Sequence, residues 1–148
     1  MNNAHGTHFT SDPDPRIALL LRGWGPQGAP PAITLDLGNL AVCNVATDLR
    51  GPFGEGARLD GNSIFLFEAA GSCIAHLGHL HQISTVYQYG AIGRVDVVSV
   101  PVDGAYTMTA QDMTGLVKRL GARVILPMRW FSAEGLAALT ACDPGGRT

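Results

Sequence analysis

The chain has 148 residues, of which 46% are hydrophobic and 15% charged, and a formal net charge of −2. That length suits one domain with a real core, and the composition excludes a disordered chain. Without a positive balance or a basic run, there is no electrostatic case for nucleic acid or an anionic membrane as partner.

Cys43, Cys73 and Cys142 are scattered and lack Cys-x-x-Cys spacing, which argues against a disulfide framework and a zinc ribbon. The longest early apolar run, Ile17 to Leu21, is far too short to span a bilayer, and the N-terminus lacks a signal-peptide pattern. The expectation is a soluble, cytoplasmic, single domain over 1–148.

Residues 1–16 are polar and aperiodic and read as loop. Ile17 to Leu21 suits a short strand or one helical turn, followed by a Gly/Pro-rich connection over 23–31. Ile33 to Leu37 alternates apolar and polar side chains, as a half-buried strand does. Gly38-Asn39 turns the chain and 40–45 returns as a strand. Four glycines and a proline over 50–62 predict an exposed loop. Ser63 to Glu68 and Cys73 to Leu77 predict an antiparallel pair joined by Ala69 to Ser72.

A short helix and loop are expected within 82–93. The apolar run 95–100, closed by Pro101, predicts a strand covered on both faces. Thr109 caps the best helix: Asp112 stands three residues on, and Met113, Leu116, Val117 and Leu120 share one face. Gly121 stops it. Arg123 to Leu126 reads as a strand ending at Pro127, and Ser132 caps a further helix that stops before Asp143-Pro144. Antiparallel pairs followed by strand, helix, strand, helix indicate an α/β fold with a mixed sheet.

In layered α/β proteins, sites gather where strands end. Three such ends stand out. The first is His76-Leu77-Gly78-His79-Leu80-His81, which holds three of the five histidines in six residues. The second is Pro101 to Met108, and the third is Leu126 to Phe131. Neutral imidazole ligates transition metals, so the histidine cluster is the natural place to look for chemistry.

The ordered set Gly61-Asn62-Ser63-Ile64-Phe65, His76-Leu77-Gly78, Val95-Asp96-Val97, Pro101-Val102-Asp103-Gly104-Ala105-Tyr106-Thr107-Met108 and Leu126-Pro127-Met128 resembles the C-terminal half of metallo-β-lactamase-fold hydrolases, in the lactonase-like and UPF0173-like branch. The resemblance implies an αββα metallo-β-lactamase-like sandwich, N-terminally truncated here. It also implies two metal ions that turn a bridging water into a nucleophilic hydroxide.

The ligand motifs carry over only in part. The family's His-x-His-x-Asp-His loop falls on Asn3 to His8 and keeps His5 and His8. No histidine stands near Thr47-Asp48. His79 replaces the bridging aspartate and Arg129 replaces the last histidine. A neutral imidazole cannot bridge two cations as a carboxylate does, and a guanidinium stays protonated. The resemblance therefore implies one zinc ion rather than two, held by His5, His8 and His79, with Asp48, His76, His81, Asp103 and Arg129 facing the pocket or substrate.

Blander readings stand beside these. His5 and His8 read equally as a disordered terminus, and His76, His79 and His81 as strand-end polar residues. Asp103 reads first as a turn former and Asp96 as structural. Arg129 suits either a substrate carboxylate or phosphate, or packing on an aromatic ring. Tyr106 and Met108 read as packing residues.

Two functions follow from the resemblance. One is metal-dependent hydrolysis of an ester, lactone or phosphoester-type small molecule at an altered site. The other is a catalytically inactive, truncated relative serving as a binding or interaction module. A missing first half would leave one sheet face for a second copy or another partner to cover.

Overall fold

The computed structural model describes residues 14–23, 31–51, 56–82, 85–104 and 106–130. Six strands form one sheet in sequence order: β1 (Thr34–Asp36), β2 (Leu40–Arg50), β3 (Ala57–Ala69), β4 (Ser72–His76), β5 (Val97–Pro101) and β6 (Val124–Met128). β1 to β4 run antiparallel to their neighbours, whereas β4, β5 and β6 are parallel. Helix α1 (Val86–Ile92) connects β4 to β5, and α2 (Ala110–Leu120) connects β5 to β6. Parallel neighbours need such crossovers, and these bring the ends of β4, β5 and β6 to one edge of the sheet.

The expected exposed loop over 50–62 is corrected from residue 57 onward. There the chain is already β3, paired Arg50↔Ala57 and Leu49↔Arg58, with a register shift between Thr47 and Leu49. Glycine content suggested a loop, but Gly61 serves a close approach instead. A Cβ on it would lie 2.7 Å from Leu49 Cβ.

Ile17 to Leu21 is neither strand nor helical turn; a turn at Pro15-Arg16 precedes it, and Leu21 is buried. Its apolar residues follow packing rather than a ladder: Leu21 packs with Val42 and Phe65.

β3 is central and covered on both faces. Ile64 and Leu66 join a main core with Ala75, Val98 and Val100 from neighbouring strands, Ile92 from α1, and Met113, Leu116 and Val117 from α2. Phe65 and Phe67 alternate to the opposite face, with Leu21, Val42 and Leu35. Each fully buried large apolar side chain contributes roughly 1.5–3 kcal/mol.

β5, expected to be covered on both faces, buries Val98 and Val100 while Val97 and Ser99 are only half-buried. β6 likewise turns Ile125 into the main core and leaves Val124 and Leu126 about half exposed.

α2 begins where the sequence predicts. The Thr109 hydroxyl oxygen accepts the Asp112 N–H at 3.1 Å and the hydroxyl donates to Asp112 Oδ2 at 2.8 Å. Gly121 ends the helix in the left-handed conformation. α1 starts at a full capping box: Gln88 N–H donates to Thr85 Oγ1, and Thr85 N–H to Gln88 Oε1. The helix expected from Ser132 lies outside the described residues, as do His5 and His8.

Candidate functional site

The histidine segment leaves the end of β4 as a tight turn, made possible by Gly78 at φ 62°. Its backbone is tied on three sides. Leu77 N–H donates to Ser99 O on β5 at 3.0 Å, Met108 N–H donates to Leu80 O at 3.0 Å, and His79 N–H donates to Asn62 Oδ1 at 2.8 Å.

Asn62, fully buried on β3, turns its amide nitrogen to Thr47 Oγ1 at 2.7 Å and Leu77 O at 3.2 Å. One side chain thus fixes β2, β3 and the histidine turn together, and it leaves His79 only 4% exposed. Asn62 and Thr47 were not singled out as site residues. Asn62 stood in a recognised motif, but a buried carboxamide shows itself only through its partners.

His76, the last residue of β4, is half-buried, and its Nδ1 accepts the Gly78 N–H at 3.2 Å. Burial pushes its imidazole below the usual histidine range, towards the neutral form. His81 Nδ1 lies 2.9 Å from Asp48 O. Asp48 sits at the register shift of β2, and its carboxylate accepts the Asp60 N–H at 3.0 Å. His81 and Asp48 therefore meet through the Asp48 backbone, with the Asp48 side chain committed to the β2–β3 hairpin.

At the ends of β5 and β6 a second group forms. Val102 N–H donates to Met128 O at 3.0 Å and joins the two exits. The Asp103 carboxylate accepts the N–H groups of Tyr106 and Thr107 and the Thr107 hydroxyl on Oδ1, and Arg129 Nε–H on Oδ2 at 2.8 Å. Asp103 is thus both the expected turn former and half of an ion pair.

Its side chain is 1% exposed, and Arg129 is 23% exposed. Burial alone would raise the Asp103 pKa, but the Thr107 hydroxyl and the Arg129 guanidinium outweigh it and hold the carboxyl below its usual range. Met108 is buried as expected, whereas Tyr106 is 67% exposed rather than packed. Asp96 is structural as expected: its Oδ2 accepts the Cys73 N–H at 2.9 Å and pairs with Arg94.

The structure thus gathers His76, His79, His81, Asp103 and Arg129 at the ends of three adjacent parallel strands. Among the described residues, no three His, Cys, Asp or Glu side chains come close enough together to hold a metal ion. No helix of the described residues is long and apolar enough to cross a membrane.

The model of the "Beta-lactamase superfamily domain" family matches residues 1–129. This chain belongs to that family. Its metallo-β-lactamase-type α/β fold agrees with solved relatives. A structure from Thermotoga maritima, described as a candidate Zn-dependent hydrolase of the metallo-beta-lactamase superfamily, is 32% identical with a TM-score of 0.55, covering 71% of this chain and 48% of its own. A metal-dependent hydrolase candidate from Parabacteroides distasonis shares the fold at 13% identity and a TM-score of 0.57, over 72% of this chain and 48% of its own.

In sequence, a "UPF0173 metal-dependent hydrolase" from Methanoregula boonei is 27% identical over 74 residues, 50% of this chain and 33% of that protein. This metallo-β-lactamase-fold chain therefore spans about half the length of the structural relatives and a third of the curated one.

Proposed function

We propose that this chain is a metal-dependent hydrolase-type domain with an altered site, acting on an ester, lactone or phosphoester-type small molecule. The observation that carries this reading is the seating of His79, a buried histidine whose backbone is held beyond the end of β4 by Asn62, in a chain of this family. Relatives named as metal-dependent hydrolases support the class of chemistry.

The metal we propose is a single zinc ion held by His5, His8 and His79. The described residues supply only His79 and do not by themselves fit an ion. What the described residues can do is narrower. Burial keeps His76 neutral with its Nδ1 lone pair on the Gly78 N–H, and the Asn62 network holds the histidine turn in one geometry.

A second reading, a catalytically inactive relative that binds a ligand or partner without hydrolysis, is favoured by one observation. Arg129 pairs with Asp103, and that pairing commits the carboxylate to a guanidinium rather than to a cation from solution.

Metal analysis of protein purified without chelator separates the readings, together with assays on nitrophenyl ester, lactone and phosphodiester substrates. One zinc per chain, released in the His79→Ala variant with loss of hydrolysis, supports the first. Two ions per chain would overturn the altered-site argument. No metal, no hydrolysis and folding unchanged by chelator would leave the binding module.

A further inference from the structure

The Asp103–Arg129 pair has a feature that a purely structural ion pair does not need. A guanidinium carries five N–H donors, and the contact to Asp103 uses only Nε–H. The four N–H groups on Nη1 and Nη2 meet no acceptor among the described residues, although the side chain is only 23% exposed. Neither Nη is among the buried atoms left without a partner, so both are reached by solvent and open to a ligand.

Asp103 is in turn immobilised by Tyr106 and Thr107, so the guanidinium is held from behind by a fixed carboxylate. Arg129 also adopts φ 58°, a left-handed backbone that L residues enter at a cost of about 1–2 kcal/mol. Such strain gathers at ligand sites, where the surrounding structure enforces it.

Two large aromatic residues adjoin this ion pair along the chain and remain in solvent. Tyr106, whose N–H is bound to Asp103, is 67% exposed, and Trp130, the residue after Arg129, is 57% exposed. Exposed aromatics beside a fixed cation suit a ligand with an apolar body and an anionic head.

We propose that Arg129 is the anion-recognition residue of the strand-end site, taking the carboxylate or phosphate of a small ligand whose apolar body lies against Tyr106 and Trp130. A guanidinium anchored at Nε keeps its Nη pair for two oxygens of one anionic group. Asp103 is the positioning residue. This site stands whether or not the chain hydrolyses what it binds.

The test is calorimetric titration of the full chain with inorganic phosphate, phenyl phosphate, benzoate and neutral benzyl alcohol. The aromatic anions bind at least about tenfold more tightly than the alcohol, and Arg129→Gln removes that advantage, a change of about 1.4 kcal/mol. Preference for phenyl phosphate over benzoate identifies a phosphate ligand, and the reverse a carboxylate. Trp130→Ala weakens phenyl phosphate but leaves inorganic phosphate unchanged. Equal binding of anions and alcohol, or anion binding untouched in a folded Arg129→Gln variant, would overturn the proposal. Should that variant not fold, the Arg129 side-chain N–H resonances of the unsubstituted protein decide. They shift on adding phenyl phosphate if the proposal holds, and stay still if it fails.

Discussion

The backbone N–H of His79 donates to Asn62 Oδ1 at 2.8 Å, so a residue in the middle of β3 sets the position of the histidine turn beyond β4. The same side chain holds Thr47 and Leu77. Candidate chemistry at one strand end therefore depends on a buried amide two strands from the edge of β5.

Asn62→Leu is expected to destabilise the protein by about 2–4 kcal/mol, because three buried partners lose their hydrogen bonds at once. Urea denaturation measures the loss. Amide exchange at His79 should accelerate more than exchange in α2; uniform acceleration would mean that Asn62 supports the whole fold rather than the turn.

Two glycine substitutions should act in opposite directions. A Cβ at Gly61 would meet Leu49 Cβ at 2.7 Å and Arg58 O at 3.2 Å, so Gly61→Ala should cost about 1–3 kcal/mol by overpacking. Gly115, exposed in α2 with nothing within 4 Å of such a Cβ, should gain up to about 1 kcal/mol as alanine. Thermal melts of the two variants should move to either side of the parent.

His76 gives a pH dependence near neutrality. Burial lowers its folded-state pKa below the unfolded value of about 6.5, so the unfolded chain binds the proton first. Its contribution is present above that value and is lost as pH falls through the folded pKa. Stability measured from pH 7.5 to 5 should therefore decline less steeply in His76→Gln. An unchanged slope would assign the decline to other groups.

Asp103 acts in a lower window. Despite its burial, the Thr107 hydroxyl and Arg129 hold its folded pKa below the unfolded value of about 3.9. The stability it provides is full above that value and is lost as pH drops further through the folded pKa. In Asp103→Asn the acid limb of the stability curve, followed by circular dichroism from pH 5 to 2, should flatten and the plateau at pH 7 should fall.

Much of the fold is legible in local chemistry. Thr109, Asp112 and Gly121 delimit α2, and alternation marks β1 and the first part of β2. β3 was only half visible. Its second part is continuously apolar, but Gly61, Asp60 and Arg58 read as loop residues, and only pairing with Leu49 and Arg50 makes them strand. Tyr106 shows the converse: its type suggested packing, while its place after Asp103 leaves it in solvent.

The sequence by itself determined the layered α/β class, the strand ends where a site would form and the histidine, aspartate and arginine types found there, because periodicity and residue chemistry are local properties. Only the tertiary structure decided which of them meet. The parallel order β4, β5, β6 brings residues 76–81, 103–104, 106–108 and 129–130 to one edge, joins Arg129 to Asp103 across 26 residues and seats His79 on Asn62 across 17. Partners so distant in the chain are set by strand pairing and burial, which no short stretch of residues encodes.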